Sequence, residues 1–348
     1  MINLENHVIS DNSSINDALL KLDYLGSNAV LFAVDSQYKL IGALTDGDVR
    51  RGLLKGFDIN NNIIDIIQKQ PKFIKEHSID IYKIIEWRNA KIKILPVLDI
   101  NNKLIRVINF NNTNSCIPID VVIMAGGKGT RLHPLTLNTP KPLLKVGDKA
   151  IIEHNIERLY KYGITNFWVS VRYLGDQIKN KLGNGNNENQ SIQYVWEDTP
   201  KGTIGAVSKI TNFINNHVLI TNSDILTNLN YESFYLDFLE KDADLSIVSI
   251  PYKVTIPYAV LETKDNYVKG FKEKPTYTYF SNAGIYLIKR ELLDYIPKDS
   301  HFDATDLVEV LIKNDKKVIS YEFFDYWLDV GKTDDFEKAQ KDIKNIQF

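Results

Sequence analysis

A short apolar run that ends in a glycine-rich segment constrains the fold of this chain more than any other feature. Val121 to Met124 has the composition of a buried strand, and the segment GGKGTR follows it at 126–131. A buried strand that delivers a glycine-rich loop is typical of the edge of a parallel sheet, where α/β folds bind their ligands. The pattern therefore predicts an α/β fold with a binding site at this loop.

The residue types in and after the loop indicate what it binds. Glycine lacks a Cβ, so the N–H groups of the loop can closely approach a phosphate or a purine face. Lys128, Arg131 and Lys141 add three cations within fourteen positions, which suits a triphosphate. The spacing fits neither GxxxxGK[ST] nor GxGxxG, so the two commonest phosphate loops are disfavoured.

The longer string GGKGTRL-x-PLT-x₃-PKP, at 126–142, resembles the signature of sugar-1-phosphate nucleotidyltransferases. The resemblance implies a doubly wound, Rossmann-like α/β domain in which Arg131 and Lys141 are catalytic. It also implies that the nucleotide is bound by residues at the end of the strand and in the loop, namely Ala125, Gly126, Gly127, Gly129 and Thr130.

Composition excludes several other classes of protein. The chain has 348 residues, enough for at least two domains, and 42 basic against 44 acidic residues give a net charge of −2. This balance predicts neither a nucleic-acid partner nor a membrane surface. The single cysteine, Cys116, the lack of a long apolar run and the polar N-terminus predict a cytoplasmic protein.

The first 115 residues contain an internal repeat with an offset of 64 positions. Ser14-Ile15 aligns with Ser78-Ile79, each predicted to begin a helix with serine as the N-cap. Each half is predicted to run helix, strand, turn, strand, helix. The predicted strands are Ala29–Val34, Leu40–Leu44, Ile92–Leu98 and Leu104–Ile108.

This repeat resembles a tandem CBS domain pair, an α+β regulatory module, over 1–115. The segment GALTDGD at 42–48 is similar to the G-x-x-T-x-x-D nucleotide motif of that family. Thr45 and Asp48 would then bind the ribose hydroxyls of a regulatory nucleotide. Asp48 could instead only cap the following helix. The aligned positions of the second copy, Asn109 and Asn112, lack a carboxylate, so that copy is predicted to be structural.

The segment 109–118, rich in Asn and Thr and closed by Pro118, predicts a linker to a second domain over 119–348. Strands and amphipathic helices alternate from Ile119 onward, which predicts a doubly wound, mostly parallel sheet. A helix is expected at Ile151–Tyr162, ended by Gly163. The predicted strands Asn166–Arg172 and Ile192–Glu197 flank a polar stretch, Gly183 to Gln190, that is predicted to be an exposed loop.

The segment EDTPKGTIGA at 197–206 resembles the second nucleotide loop of the transferase family, E-x-x-x-x-GTxGA. The resemblance implies that Glu197, Gly202 and Thr203 contact the base and ribose. The alternative is a helix N-terminus with Thr203 as its cap. Lys201 stands where the family commonly has an apolar residue.

Two acidic residues are candidates for a metal site. A buried strand at 218–224 ends in Asp224, the position at which doubly wound folds place an acid over the ligand. The segment YWLDVG at 326–331 resembles the family's W-L-D-x-G, whose aspartate, here Asp329, is the second ligand. Two carboxylates with phosphate oxygens suit Mg²⁺. Either aspartate alone could instead be a turn residue.

The segments FKEKP at 271–275 and SNAGIY at 281–286 resemble the sugar-binding E-K-P and N-x-G motifs. They imply that Glu273, Lys274, Asn282 and Gly284 bind the sugar phosphate, with Lys274 neutralising its charge. Runs of lysine and glutamate are otherwise usually solvated surface. Ala259 replaces a glycine that is common in the family's sugar loop.

These resemblances together imply a Mg²⁺-dependent enzyme of surface glycan biosynthesis that joins an NTP to a sugar 1-phosphate and releases pyrophosphate. CBS domains in front of such a transferase resemble the guanylyltransferases of the legionaminic acid pathway, so we expect GTP, glucosamine 1-phosphate and a homo-oligomer. The alternatives are a mannose-1-phosphate guanylyltransferase and a uridylyl- or thymidylyltransferase. A non-catalytic nucleotide-sensing module is the alternative from another class.

Overall fold

The computed structural model describes residues 3–76, 78–185 and 190–346. The chain divides into two compact units. The first contains Met1–Pro118 and Leu159–Thr165, and the second contains most of the chain from Ile119 onward. The sequence interpretation did not anticipate that Leu159–Thr165 groups with the first unit. Among the described helices, none is both long enough and apolar enough to cross a membrane.

The first unit contains two three-stranded sheets, β1-β2-β3 and β4-β5-β6. Its helices and strands are α1 Leu4–His7, β1 Val8–Ser10, α2 Ile15–Leu25, β2 Val30–Val34, β3 Leu40–Thr45, α3 Asp46–Leu54, β4 Ile74–Lys75, α4 Ile81–Asn89, β5 Ile94–Leu98 and β6 Leu104–Asn109.

The two sheets repeat the same register with the offset of 64 residues that the sequence predicts. Val30 pairs with Thr45 in the first sheet, and Ile94 pairs with Asn109 in the second. A bulge precedes the last residue of both β2 and β5. Side chains of the two halves pack in one core cluster that includes Phe32 from β2 and Leu98 from β5. The predicted internal repeat, with a core shared between its halves, is therefore present.

Two local predictions for the second half are wrong. Asp80, not Ser78, caps α4, because its carboxylate accepts hydrogen bonds from the N–H groups of Tyr82 and Lys83. In the first half Ser14 does cap α2, in a capping box with Asp17. No helix follows β6 where α3 follows β3, since the segment 110–118 is turn and coil. Its asparagines and Pro118 compete with or prevent helical hydrogen bonds.

From Ile119 onward the chain alternates strands and helices. The elements are β7 Ile119–Ala125, β8 Lys145–Val146, β9 Lys149–Ala150, α5 Ile151–Tyr160, β10 Asn166–Val171, α6 Gly175–Leu182, β11 Ser191–Trp196, β12 His217–Asn222, β13 Ile225–Thr227, α7 Tyr231–Glu240, β14 Leu245–Thr255, β15 Val260–Lys264, β16 Tyr267–Lys272, β17 Thr276–Lys289, α8 Ala304–Lys313, β18 Val318–Glu322, β19 Trp327–Asp329 and α9 Thr333–Asp342.

A seven-stranded sheet of order β11-β10-β7-β12-β17-β14-β18 organises the second unit. Only β17 runs antiparallel to its neighbours among the described strands of this sheet. After β7 the chain builds β10 and β11 on one side and returns to β12 on the other side, so the strand order reverses at β7. Open α/β sheets bind ligands at the carboxyl ends of the strands at such a point. The predicted α/β, mostly parallel fold is confirmed.

Element boundaries depart from the sequence predictions by one or two residues. The strand β10 ends at Val171, and α5 ends at Tyr160 rather than Tyr162. Of the predicted exposed loop Gly183–Gln190, residues 186–189 lie outside the described residues, and Gln190 is buried.

Candidate active site

A cavity of about 370 Å³ opens at the carboxyl ends of β7, β10, β11 and β12. The end of β7 and the glycine-rich loop form one wall, so every residue predicted for the first nucleotide loop lines it. These residues are Ala125, Gly126, Gly127, Gly129 and Thr130. Arg131 and Lys141, the predicted catalytic cations, line the same cavity.

The glycine-rich loop requires glycine at position 129. Gly129 has a φ of +63°, and a Cβ there would lie 3.1 Å from the Cβ of Lys141. The Thr136 hydroxyl donates to the Gly129 carbonyl over 2.8 Å. A side chain at position 129 would therefore be strained and would displace Lys141.

Lys141 is the most buried cation of the site, with 8% of its surface exposed. Its ammonium donates to Asp224 Oδ2 in a short contact. The same nitrogen lies 3.6 Å from Asp329 Oδ1. One lysine therefore contacts both predicted metal ligands and offsets one of their two negative charges.

A long-range strand pairing brings these two aspartates together. The strand β13 pairs antiparallel with β19, and Ile225 lies opposite Asp329. The N–H of Val330 donates to the carbonyl of Asp224 over 3.0 Å. Asp329 does not line the cavity as described, but its ion pair with Lys141 joins it to the cavity wall.

The carboxylate pair fits a divalent cation with oxygen ligands. Asp224 Oδ1 and Asp329 Oδ1 are buried and accept no hydrogen bond from the described residues. Burial first, and then the neighbouring Asp224 carboxylate, raises the pKa of Asp329, while Lys141 and Arg131 oppose this shift. Within the described ranges there is no group of three or more His, Cys, Asp or Glu side chains placed to hold a metal. An ion here would have two carboxylate ligands and would take the rest from water or phosphate, as Mg²⁺ does.

Glu197, from the predicted second nucleotide loop, lines the cavity beside Gly126. It is 7% exposed, and its carboxylate accepts hydrogen bonds from the Ser170 hydroxyl in a short contact and from the N–H of Lys201 over 3.2 Å. A Cβ on Gly126 would lie 2.7 Å from Glu197 Oε1. Only glycine at position 126 leaves this carboxylate in place.

Gly202 and Thr203 also line the cavity, but Thr203 has a local partner. Its N–H and hydroxyl both donate to Asp303 Oδ1, and its hydroxyl oxygen accepts from the N–H of Ala304, the first residue of α8. Thr203 therefore contacts the N-terminus of α8, whose N-cap is Asp303. It does not cap the segment that follows it, which is a short 3₁₀ helix at Gly205–Lys209. The expected helix directly after Thr203 is absent from the described structure.

The four residues predicted to bind the sugar phosphate do not line the cavity in the described part of the chain. Glu273 and Lys274 are exposed beyond the end of β16. Asn282 Oδ1 accepts from the N–H of Gly284 over 2.9 Å, and its amide donates to the Tyr286 hydroxyl over 2.7 Å. Gly284 has a φ of +74°, and a Cβ there would lie 2.5 Å from the amide of Asn222, which does line the cavity.

Four further polar residues line the cavity that the sequence interpretation did not select. Asn222 and Ser223 precede Asp224, Arg172 follows β10, and His301 precedes α8. Arg172 stands directly after a parallel strand, a position that could have marked it. No pattern marks His301, because it is brought to the cavity by the fold.

The predicted nucleotide site of the first unit has a different local geometry. Asp48 Oδ2 accepts from the N–H and the hydroxyl of Thr45 over 2.9 and 2.6 Å, and Asp48 Oδ1 accepts from Arg51 over 2.5 Å. This is a capping box at the start of α3. The alternative that Asp48 caps its helix is therefore observed.

Comparison with known proteins identifies relatives of the second unit. The family described as Nucleotidyl transferase matches residues 120–346. A mannose-1-phosphate guanylyltransferase from Mycobacterium tuberculosis is 29% identical over 234 residues, which are 65% of this chain and 64% of the relative. A UTP–glucose-1-phosphate uridylyltransferase from Synechocystis is 28% identical over 252 residues, 65% of each chain. This chain thus spans just under two thirds of the length of these relatives.

A solved structure shares the fold of the same region. HddC from Yersinia pseudotuberculosis, complexed with GMP-PN, is 26% identical with a TM-score of 0.51. The match covers 65% of this chain and 99% of that chain.

Proposed function

Since this chain belongs to the nucleotidyl transferase family, we propose that it joins a nucleoside triphosphate to a sugar 1-phosphate and releases pyrophosphate. The main support is the convergence of Arg131, Lys141 and Asp224 on one cavity at the carboxyl edge of the sheet. Arg131 and Lys141 come from the segment 126–142, and Asp224 follows β12, about eighty residues later in the chain. A purely structural cluster would not need a cavity lined by a glycine-rich loop.

The proposed reaction needs no nucleophile from the protein. An oxygen of the sugar phosphate attacks the α-phosphorus in line and forms a new P–O bond, while the bond to the pyrophosphate oxygen breaks and its electron pair leaves with pyrophosphate. The chain must align the two substrates and stabilise the charge that develops. Arg131 and Lys141 provide fixed positive charge for this purpose.

We assign the metal site to Asp224 and Asp329, whose buried oxygens Oδ1 lack hydrogen-bond partners within the described ranges. A bound Mg²⁺ would neutralise phosphate charge during the reaction. Lys141 already contacts both carboxylates. The lysine is thus placed where phosphate oxygens, carboxylates and cation would meet.

For the substrates, we propose GTP and glucosamine 1-phosphate, with the nucleotide held by the glycine-rich loop and by Glu197, Gly202 and Thr203. The guanylyltransferase relative and the GMP-PN complex of HddC support a guanine nucleotide, and the uridylyltransferase relative is the reason to test other bases. We propose further that Glu273, Lys274, Asn282 and Gly284 bind the sugar phosphate; the exposure of Glu273 and Lys274 leaves both side chains accessible to a ligand.

We propose that residues 1–115 form a regulatory tandem CBS pair and that residues 119–348 form the transferase domain. The repeated registers of β2–β3 and β5–β6 support the first assignment. A regulatory nucleotide at Thr45 and Asp48 would have to bind beside the capping box or replace the contact from Arg51.

Pyrophosphate release from a matrix of NTPs and sugar 1-phosphates tests this function. With Mg²⁺ present, we expect turnover for GTP with glucosamine 1-phosphate. Mannose 1-phosphate, UTP and dTTP form the comparison arms. Nucleotide binding without turnover in any combination would contradict an enzyme and would favour a nucleotide-sensing module.

A further inference from the structure

Two side chains of opposite charge, Arg172 and Glu197, line the cavity next to each other without an ion pair between them in the described structure. They follow β10 and β11, adjacent parallel strands whose last pair is Val171 with Trp196. Both flank Gly126, since a Cβ there would lie 2.7 Å from Glu197 Oε1 and 3.5 Å from Arg172 Cβ. A flat group lying over Gly126 would therefore have a cation and an anion at its edge.

The Glu197 carboxylate is fixed in position and is still able to accept hydrogen bonds. Ser170 and the N–H of Lys201 each bond one of its oxygens. A carboxylate has about four lone-pair sites, so each oxygen can accept one more donor. The preorganised anion is therefore suited to a ligand that presents adjacent N–H groups.

The Arg172 side chain, in contrast, has a buried hydrogen-bond donor that lacks an acceptor among the described residues. Its Nε is buried and has no partner in the part of the chain that the structure describes. A buried donor without an acceptor is costly. An acceptor supplied by a ligand in the cavity would remove this cost.

The strand order separates this pair from the phosphate end of the cavity. Arg172 and Glu197 lie on the β10–β11 side of β7, and Asp224 lies on the β12 side. With about 4.8 Å between neighbouring strands, the strand of Glu197 is roughly 14 Å from that of Asp224. Lys141 contacts both aspartates, and Arg131 lies near Asp329, since a Cβ on Gly331 would be 3.3 Å from Asp329 Oδ2 and 3.5 Å from Arg131 Nη1. Triphosphate and metal therefore belong to the β12 side, and the base belongs to the side of Arg172.

We propose that Arg172 and Glu197 together select guanine as the base. Guanine presents the acceptors N7 and O6 next to the donors N1–H and N2–H. The arginine fork matches the acceptors, and the carboxylate matches the donors. Adenine places an amino donor toward the arginine, and uracil or thymine offers the carboxylate one N–H flanked by carbonyl oxygens. This inference rests on the proposed function and assigns the base specificity of that site.

Steady-state kinetics with GTP, ATP, UTP and dTTP tests the inference in the full-length protein. Arg172→Lys keeps the positive charge but loses the planar fork. We expect it to lower kcat/KM for GTP roughly ten- to hundredfold, mainly through KM, and to change the other nucleotides much less. Glu197→Gln should lower the preference for GTP in the same way. Lys179→Ala, an exposed lysine on α6, is the matched control and should leave the preference unchanged.

The outcomes separate this inference from the proposed function. A wild-type preference for another base would overturn it, and so would an equal loss for all four nucleotides in Arg172→Lys, which would place Arg172 on the phosphates. If no nucleotide is turned over, the proposed function fails instead. Calorimetric titration with the same four nucleotides then still tests base selection, because Arg172→Lys must weaken GTP binding selectively in a protein whose thermal unfolding is unchanged.

Discussion

Asp48 in the first unit and Asp224 in the second are carboxylates that follow a strand, and the sequence predicts a ligand contact for both. The structure separates them. Both oxygens of Asp48 accept hydrogen bonds, from Thr45 and Arg51. Asp224 has one oxygen on Lys141, and the other is buried without a partner among the described residues. The oxygen without a partner in the described structure is what makes Asp224 the stronger candidate for a metal ligand.

The surroundings of the two residues also favour Asp224 over Asp48 as a ligand contact. Asp48 has one cation beside it, and the side chain of Arg51 is 62% exposed. Asp224 shares a largely buried lysine with a second carboxylate at the wall of a cavity. Charged groups interact more strongly with a ligand where burial lowers the effective dielectric constant. The second site is therefore expected to carry the chemistry, and the first to carry at most regulation.

The largest expected effects come from the two cations of the cavity. Arg131→Ala and Lys141→Ala should each lower kcat by roughly 10²–10³, because each removes a preorganised charge from the transition state. Lys179→Ala is the control, since this lysine on α6 is exposed and does not line the described cavity. Near-normal kcat in a folded Arg131→Ala protein would contradict the assignment.

The second-largest effects are expected for Asp224→Asn and Asp329→Asn. Each removes an anionic ligand at nearly constant size, so kcat/KM at low Mg²⁺ should fall roughly hundredfold, because a bound ion contributes several kcal/mol of charge stabilisation. Excess metal should partly restore turnover. The measurement is a titration of rate against Mg²⁺ concentration, with Asp48→Asn as the control. An unchanged Mg²⁺ dependence in both Asp224→Asn and Asp329→Asn would contradict their assignment as metal ligands.

A smaller effect is expected at Asp48, and on stability rather than on rate. Asp48→Ala removes the capping box of α3 and should cost about 1 kcal/mol in the free energy of unfolding, measured by urea denaturation. Basal turnover should be unchanged. If adenine or guanine nucleotides alter turnover of the wild type and Asp48→Ala abolishes that response, then Asp48 is also a ligand contact and the two sites are more alike than their hydrogen bonds indicate.

Arg51→Ala should have the smallest effect. The ion pair with Asp48 lies at the surface, so its loss should change the free energy of unfolding by less than about 1 kcal/mol. Comparison of this variant with Asp48→Ala separates the ion pair from the cap. Equal destabilisation by the two changes would show that the ion pair, and not the Thr45 contacts, holds the carboxylate.

Local patterns in the sequence were sufficient for the elements that are defined by neighbouring residues. The apolar run at 121–124 predicts β7, and the offset of 64 predicts the paired registers of the first unit. The cap of α4 was misplaced by two residues, because both Ser78 and Asp80 are good N-caps and only the backbone conformation chooses between them.

Contacts between distant residues could not be derived in this way. The pairing of β13 with β19, which places Asp224 near Asp329, depends on strand register across the fold. Thr203 bonds to Asp303 and Ala304 at the start of α8, and no pattern around Thr203 shows these partners. Arg172 reaches the cavity only because β10 neighbours β7. Side-chain partners, unlike periodicity, are a property of the folded chain.

Isotope transfer shows directly whether the sugar phosphate is the nucleophile. A sugar 1-phosphate labelled with a heavy oxygen isotope in its phosphate group is incubated with GTP, Mg²⁺ and the protein, and both products are analysed by mass spectrometry. If the sugar phosphate is the nucleophile, all the label appears in the nucleoside diphosphate sugar and none in pyrophosphate. Lys141→Ala should lower the yield of both products over the same interval by roughly 10²–10³. Labelled pyrophosphate, or conversion of GTP without a labelled nucleotide sugar, would contradict the account.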